Sequence, residues 1–171
     1  CQSRMSAKQI VVLGGGFAGL WSALGAARKL DELGHGPDAA EVTLVNRDGY
    51  HDIRVRNYEA DLSGVRVSLD EVLRPVGVRR VEGTVTGIDL VGQAVMVAAA
   101  DGRKTCRYDR LILATGSQIV RPDIPGLAEH GFDVDTYDSA VRLERHLRSL
   151  VGRPAFAGQW TVVVVGAGLT G

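Results

Sequence analysis

The stretch Gln9-Ile-Val-Val-Leu-Gly-Gly-Gly-Phe-Ala-Gly19 decides how this sequence folds. Ile10 to Leu13 are aliphatic without polar alternation, so the run predicts a strand buried on both faces, as in a parallel sheet. It ends in glycines at 14, 16 and 19, a spacing with a reason at each position. Gly14 allows a tight turn off the strand, and Gly16 lets the backbone approach a pyrophosphate. Gly19 lets the next helix pack on the sheet with its N-terminus aimed at the phosphates. That helix is expected over Phe17 to Leu33, weakened only slightly by Gly25 and closed by Gly34. A GxGxxG alone is a weak signal. Between an apolar strand and a helical run it becomes specific.

The pattern occurs twice. Thr161-Val-Val-Val-Val-Gly-Ala-Gly-Leu-Thr-Gly171 repeats both the apolar run and the glycines, now Gly166, Gly168 and Gly171. Two dinucleotide fingerprints suggest two dinucleotides, and an enzyme that needs both usually moves hydride from a nicotinamide to a flavin. The expected organisation is a dinucleotide-binding domain over residues 8–158, then the first strand and glycine turn of a second domain over 159–171. Because the sequence stops where the second helix would begin, the expectation is one piece of a longer chain. The rest of that chain is missing here, and this piece alone should lack turnover.

Between the two copies, Glu41 to Asn46 reads as the second parallel strand. A ribose-binding acid should close this strand, but Asn46 stands there, followed by Arg47 and Asp48. An amide offers one acceptor oxygen and one donor nitrogen where a carboxylate offers two acceptors. Arg47 would suit a ribose 2′-phosphate, which keeps open an alternative in which the first site takes NADP. Ser68 is expected to cap a helix, Leu69 to Arg74, that stops before Pro75. Val78 to Glu82 reads as a third parallel strand. A three-stranded antiparallel meander is expected over about 83–108: Thr84 to Asp89, Ala94 to Ala98, an Asp101-Gly102 turn, and Lys104 to Tyr108. Leu111 to Ala114 returns to an apolar strand ending in Thr115-Gly116. After a loop stiffened by Pro122 and Pro125, Asp138 is expected to cap a helix over Ser139 to Leu150. The fold class is therefore α/β, a Rossmann-like parallel sheet with an inserted antiparallel meander.

Composition removes several function classes. Twenty basic and twenty acidic residues give zero net charge, which argues against a nucleic-acid partner or a polybasic membrane anchor. Two distant cysteines, Cys1 and Cys106, make no disulfide framework or zinc site. His35, His130 and His146 lack partners at metal-ligand spacing, so no metal is assigned. The 22 glycines in 171 residues are nearly twice the usual share and fall at the ends of hydrophobic runs. Ile10 to Ala27, behind Arg4 and Lys8, superficially resembles a secretion signal, but three consecutive glycines interrupt it and no clean cleavage site comes after it. Trp21 is expected in the core and Cys106 as a structural residue. His51 could bond a flavin or quinone but is expected instead to satisfy loop backbone groups. Arg54 and Arg56 could steady an anionic reduced flavin but are expected to be solvated or ion-paired. No catalytic side chain is assigned.

In this order, VVLGGGFAGL (11–20), the meander, YDRLILATGS (108–117), PDIPGL (122–127) and VVVVGAGLTG (162–171) resemble the N-terminal part of the pyridine nucleotide-disulfide oxidoreductase superfamily. The stretch Asn46-Arg-Asp-Gly-Tyr-His51 is similar to type II NADH dehydrogenase-like members. The resemblance implies FAD in the first fold and NADH or NADPH at the second. Gly14, Gly16 and Gly19, with the amides of Phe17 and Ala18, would hold the pyrophosphate. Asn46 and Arg47 would lie at the adenosine ribose, and Val85 would offer backbone groups to adenine. Thr115 and Gly116 would pass the flavin half, and Gly166, Gly168 and Gly171 would line the NAD(P)H site. The implied partner is a small-molecule electron acceptor such as a quinone. The implied location is cytoplasmic, with any peripheral membrane contact made by C-terminal segments outside this sequence. Disulfide-reducing and sulfide-oxidising members rely on cysteines in patterns this sequence lacks, leaving flavin as the one implied redox centre. A reading from another class is a non-catalytic nucleotide-binding or redox-sensing module.

Overall fold

A computed structural model of the protein describes residues 7–166. The chain divides into two compact units: Cys1–His51 with Arg66–Ser117, and Asp52–Val65 with Gln118–Gly171. The first holds the parallel sheet. Its strands β1 (Lys8–Leu13), β2 (Ala40–Asn46), β5 (Arg79–Glu82) and β9 (Arg110–Leu113) lie in the order β5-β2-β1-β9, every neighbouring pair parallel. Between β2 and β5 come two short strands that pair with each other, β3 (Tyr50–Asp52) and β4 (Arg66–Ser68). The expected meander is present as β6 (Thr84–Asp89), β7 (Ala94–Ala99) and β8 (Gly102–Arg107), antiparallel throughout.

The doubly buried reading of β1 has a direct structural basis. Alternate residues of a strand face opposite sides of a sheet, and both sides are covered. Val12 packs in a cluster with Leu20, Ala23, Leu44, Leu69 and Leu73, contributed by β2 and the helices α1 (Phe17–Glu32) and α2 (Leu69–Leu73). Val11 and Leu13 join Val45 and the meander residues Val95 and Val97 in a second cluster. Each such side chain, fully buried, stabilises the fold by roughly 1.5–3 kcal/mol.

Helix α1 ends as expected. Gly34 adopts a left-handed φ of 68°, donates to Asp31 O at 2.9 Å, and lets His35 N reach Leu30 O at 2.9 Å, a Schellman closure. Trp21 does not join the core; it is 70% exposed. The buried residues of α1 are Gly19, Leu20 and Ala23, and at 3.6 residues per turn Trp21 falls on the far side of the helix. The helix expected to stop before Pro75 is α2, which gives way to a 3-10 turn at Arg74–Val76 that runs through the proline. The first positions of a helical turn need no N–H donor, so Pro75 is tolerated there. Ser68 takes the N-cap position without a side-chain cap bond; Leu69 N donates instead to Gly49 O at 2.9 Å.

The second unit has a small core of Leu62, Val65 and Ala140, with Val134, Tyr137 and Val141 packed against it. It contains a short helix, α3 (Leu127–His130), and α4 (Tyr137–Leu150). The N-cap of α4 is Thr136, not Asp138: Thr136 Oγ1 accepts from Ser139 N at 3.2 Å. Asp138 lies inside the first turn, where its charge still favours the positive end of the helix. Thr136→Ala should lower unfolding free energy by about 1 kcal/mol; a smaller midpoint shift in urea than Asp138→Ala would reverse this assignment. Residues 161–166 lie in no strand, and Val162 to Val165 are exposed. Gly168 and Gly171 lie outside the described residues. Among those described, no helix is long and apolar enough to cross a membrane.

Candidate functional site

Three strand ends converge on the first glycine turn. Gly14 N donates to Val45 O at 2.8 Å, and Ala114 N, just past β9, donates to Leu13 O at 2.9 Å. Gly14 has φ 104°, and a Cβ there would lie 2.3 Å from Ala114 O, so only glycine fits. The chain then enters α1 with Gly16 as N-cap; no side chain caps it and its first turn carries no acid. The first amides of a helix have no partner within it. Among the described residues those of Phe17 and Ala18 make no hydrogen bond, and they lie at the end of the helix dipole that favours anions. A Cβ added at Gly16 meets nothing within 4 Å, whereas one at Gly19 would meet Gly14 O at 1.8 Å. Gly16 thus faces open space and Gly19 is closed by packing. The residues fit a phosphate-bearing group.

Asn46 closes β2 and ties the glycine turn to the segment that leads into β3. Its Oδ1 accepts from Gly15 N at 2.9 Å. Its Nδ2 donates to Asp48 O at 3.1 Å, Asp48 Oδ1 at 3.2 Å and Tyr50 O at 3.2 Å. Asp48 also accepts from Tyr50 N at 3.0 Å and pairs with Arg66 at 3.4 Å, whose guanidinium lies 4.6 Å from the Tyr50 ring centroid. His51 is only 5% exposed, and its Nδ1 lies 2.8 Å from Gly15 O. A carbonyl can only accept, so Nδ1 carries the hydrogen. The ring meets Phe17 edge-on at 4.7 Å. His51 therefore braces the turn from beneath, as a loop-satisfying histidine was expected to.

Beyond Asn46 opens a polar cleft of about 330 Å³, lined among others by Arg47, Glu82, Gly83, Thr84, Asp101 and Lys104. Arg47 is 62% exposed along its side chain, 3.8 Å from the Asp48 carboxylate. Arg80 beside the cleft is held by Asp70 at 2.8 Å and Glu82 at 2.6 Å. These hydrogen bonds raise the Arg80 pKa above the ordinary guanidinium value and, from Arg80, lower that of Asp70. Val85 follows the cleft residue Thr84 on β6 and packs against the second core cluster. At the other side of the sheet, Thr115 and Gly116 are exposed just past β9.

Other residues stand apart from the turn. Arg54 pairs with the Asp135 carboxylate and donates from Nε to Asp135 O at 3.0 Å. Arg56 grips Glu59 with two bonds of 2.7 Å. Cys106 is a free, half-buried thiol on β8, and burial pushes its pKa up, away from thiolate. Gly166 is exposed at φ 119°. The Asn46 network and the role of Glu82 in holding Arg80 escaped sequence reasoning. Asp48-Gly49, a turn dipeptide right after the strand, was the one hint that the end of β2 folds back on itself.

A family model described as pyridine nucleotide-disulphide oxidoreductase matches residues 8–171. A NADH dehydrogenase-like protein of Mycobacterium tuberculosis is 56% identical over 163 residues, 95% of this chain and 40% of that protein. Demethylphylloquinone reductase of Synechocystis is 31% identical, over 95% of this chain and 41% of its own length. The chain thus spans about 40% of the length of the curated relatives it matches. Among solved structures, the fold is shared with the sulfide:quinone oxidoreductase of Aquifex aeolicus (TM-score 0.69, 24% identity, 86% of this chain and 33% of that one). It is shared also with NDH2 from Plasmodium falciparum in complex with NADH (TM-score 0.69, 16% identity, 85% and 30%). With the glycine turn, parallel sheet and meander in one continuous match from Lys8 onward, the chain belongs to the pyridine nucleotide-disulphide oxidoreductase family.

Proposed function

We propose that the turn at Gly14, Gly16 and Gly19 holds the pyrophosphate of FAD. In this reading the full-length protein takes hydride from NADH or NADPH and passes electrons to a small acceptor such as a quinone. The observation that carries it is the uncapped N-terminus of α1 beside the open Gly16, which leaves the amides of Phe17 and Ala18 for phosphate oxygens. When bound, the flavin supplies the two-electron redox chemistry. The chain's own residues bind and orient it. Asn46 and Arg47 stand at the adenosine end, with Val85 offering backbone groups to adenine, and Thr115 and Gly116 stand toward the flavin half. Residues 8–158 form the flavin domain, and 159–171 begin the NAD(P)H domain, with Gly166, Gly168 and Gly171 at its phosphates. Residues 1–171 alone should not turn over NADH. A cytoplasmic protein with peripheral membrane contact through sequence beyond these residues belongs to the same proposal. The similarity to a demethylphylloquinone reductase supports a quinone as acceptor.

One observation favours a second reading, NADP in the first site. Arg47 is largely free beside a neutral Asn46, a pairing that suits a ribose 2′-phosphate better than an acid would. Heat-denaturing the purified full-length protein separates the readings. A yellow supernatant with the mass of FAD is expected. Released NADP with no flavin would establish the second reading. A colourless protein with no dinucleotide would remove both and leave a module without cofactor.

A further inference from the structure

The proposed FAD reading leaves one chemical requirement unmet. The adenosine ribose presents two neighbouring hydroxyls, which a carboxylate at the end of β2 would bind through two acceptor oxygens. Asn46 lacks the charge, and its amide is largely committed within the turn. Both hydrogens of its Nδ2 are taken up by Asp48 and Tyr50 acceptors, and its Oδ1 already receives Gly15 N. An aspartate at 46 would lose those donor bonds and set its charge against Asp48. The amide suits a brace.

A carboxylate in the same row of the sheet belongs to the neighbouring strand. Glu82 is the register partner of Asn46 across β2 and β5, and Gly83 N donates to Asn46 O at 2.9 Å. The Glu82 side chain is 56% exposed and lines the cleft with Arg47, Gly83 and Thr84. Its Oε2 is fixed by Arg80 at 2.6 Å, and Arg80, 19% exposed, is itself anchored by Asp70. Oε1 has no partner among the described residues. This is a pre-oriented carboxylate with one open oxygen, displaced by a single strand from the usual place.

We propose that Glu82 accepts the adenosine ribose hydroxyls, and that Asn46 is a positioning residue that fixes the glycine turn through Gly15. The proposal rests on the FAD reading above. The test uses full-length protein, stripped of flavin and titrated with FAD and with analogues lacking the 2′- or 3′-hydroxyl of the adenosine ribose. The wild type should prefer FAD over at least one analogue by about tenfold or more. Glu82→Gln should shrink that preference to within about threefold. Asn46→Ala should weaken FAD and analogues alike and leave the preference standing. A preference untouched by Glu82→Gln, or abolished by Asn46→Ala, overturns the proposal, as does a wild type that prefers neither. Glu82→Gln changes an exposed side chain and decides the matter even if Asn46→Ala does not fold. A wild type that binds no flavin dinucleotide overturns the FAD reading itself, a different outcome from losing discrimination among flavins that bind.

Discussion

Gly19→Ala is expected to lower unfolding free energy by about 3 kcal/mol or more, although alanine is the better helix former. The propensity term favours alanine by about 1 kcal/mol in a helix interior. The opposing term is a Cβ placed 1.8 Å from Gly14 O and 2.9 Å from its carbonyl carbon. Neither atom is the end of a flexible side chain. Gly14 is fixed by its bond to Val45 O and by its close approach to Ala114, so relief requires lifting α1 off β1. That movement opens the cluster holding Val12, Leu20 and Ala23, and the steric term wins. Gly25, on the same helix, is the control. A Cβ there meets nothing within 4 Å, so Gly25→Ala should gain about 0.5–1 kcal/mol. Urea denaturation of the two variants should shift the midpoint in opposite directions; a wild-type midpoint for Gly19→Ala would show that the turn and helix are not in this contact.

The parallel sheet and the meander were legible because each rests on a local signal that tertiary packing reinforces. Ile10 to Leu13 has no polar residue to expose, and it is covered on both faces. Asp101-Gly102 marks a hairpin whose flanks alternate. The misplaced features each depend on information that a linear pattern lacks. Trp21 is apolar, but whether it is buried depends on which side of α1 meets the sheet, and Leu20 and Ala23 set that side. Thr136 and Asp138 are both capping residue types two positions apart, and the choice between them turns on where Ser139 N points. At the site, the glycine spacing announced an anion-binding turn. The substitution of Asn46 for an acid was visible as well, but its meaning lay in partners two and four residues ahead and in Gly15, thirty-one residues back. The compensating carboxylate of Glu82 is adjacent to Asn46 only because β5 lies beside β2. Strand order, not sequence distance, puts them together.

Gly16→Ser should do the reverse of Gly19→Ala: it should keep the fold and lose the cofactor. The backbone at Gly16 has φ −72° and ψ −175°, an extended conformation open to any residue, and its Cβ position is free. Serine is a better N-cap than glycine by a few tenths of a kcal/mol, because its oxygen accepts from the amides of the first turn. Of those amides, at Ala18 and Gly19, the one at Ala18 is a donor proposed above for the pyrophosphate. The side chain would thus fill the approach to the turn and satisfy its donors internally. Losing two charge-assisted hydrogen bonds costs about 3 kcal/mol or more, so FAD affinity should fall on the order of 100-fold. Thermal unfolding of the apoprotein should meanwhile be unchanged or slightly raised. Titration of stripped full-length protein with FAD, beside the melting curve of the same sample, measures both. Wild-type affinity in Gly16→Ser would mean that the phosphates do not sit at this helix end. Paired loss of stability and affinity would mean that Gly16 serves packing, as Gly19 does. Only retained stability with lost binding fits a position kept open for a ligand, and that combination separates the two glycines although they stand three residues apart in one motif.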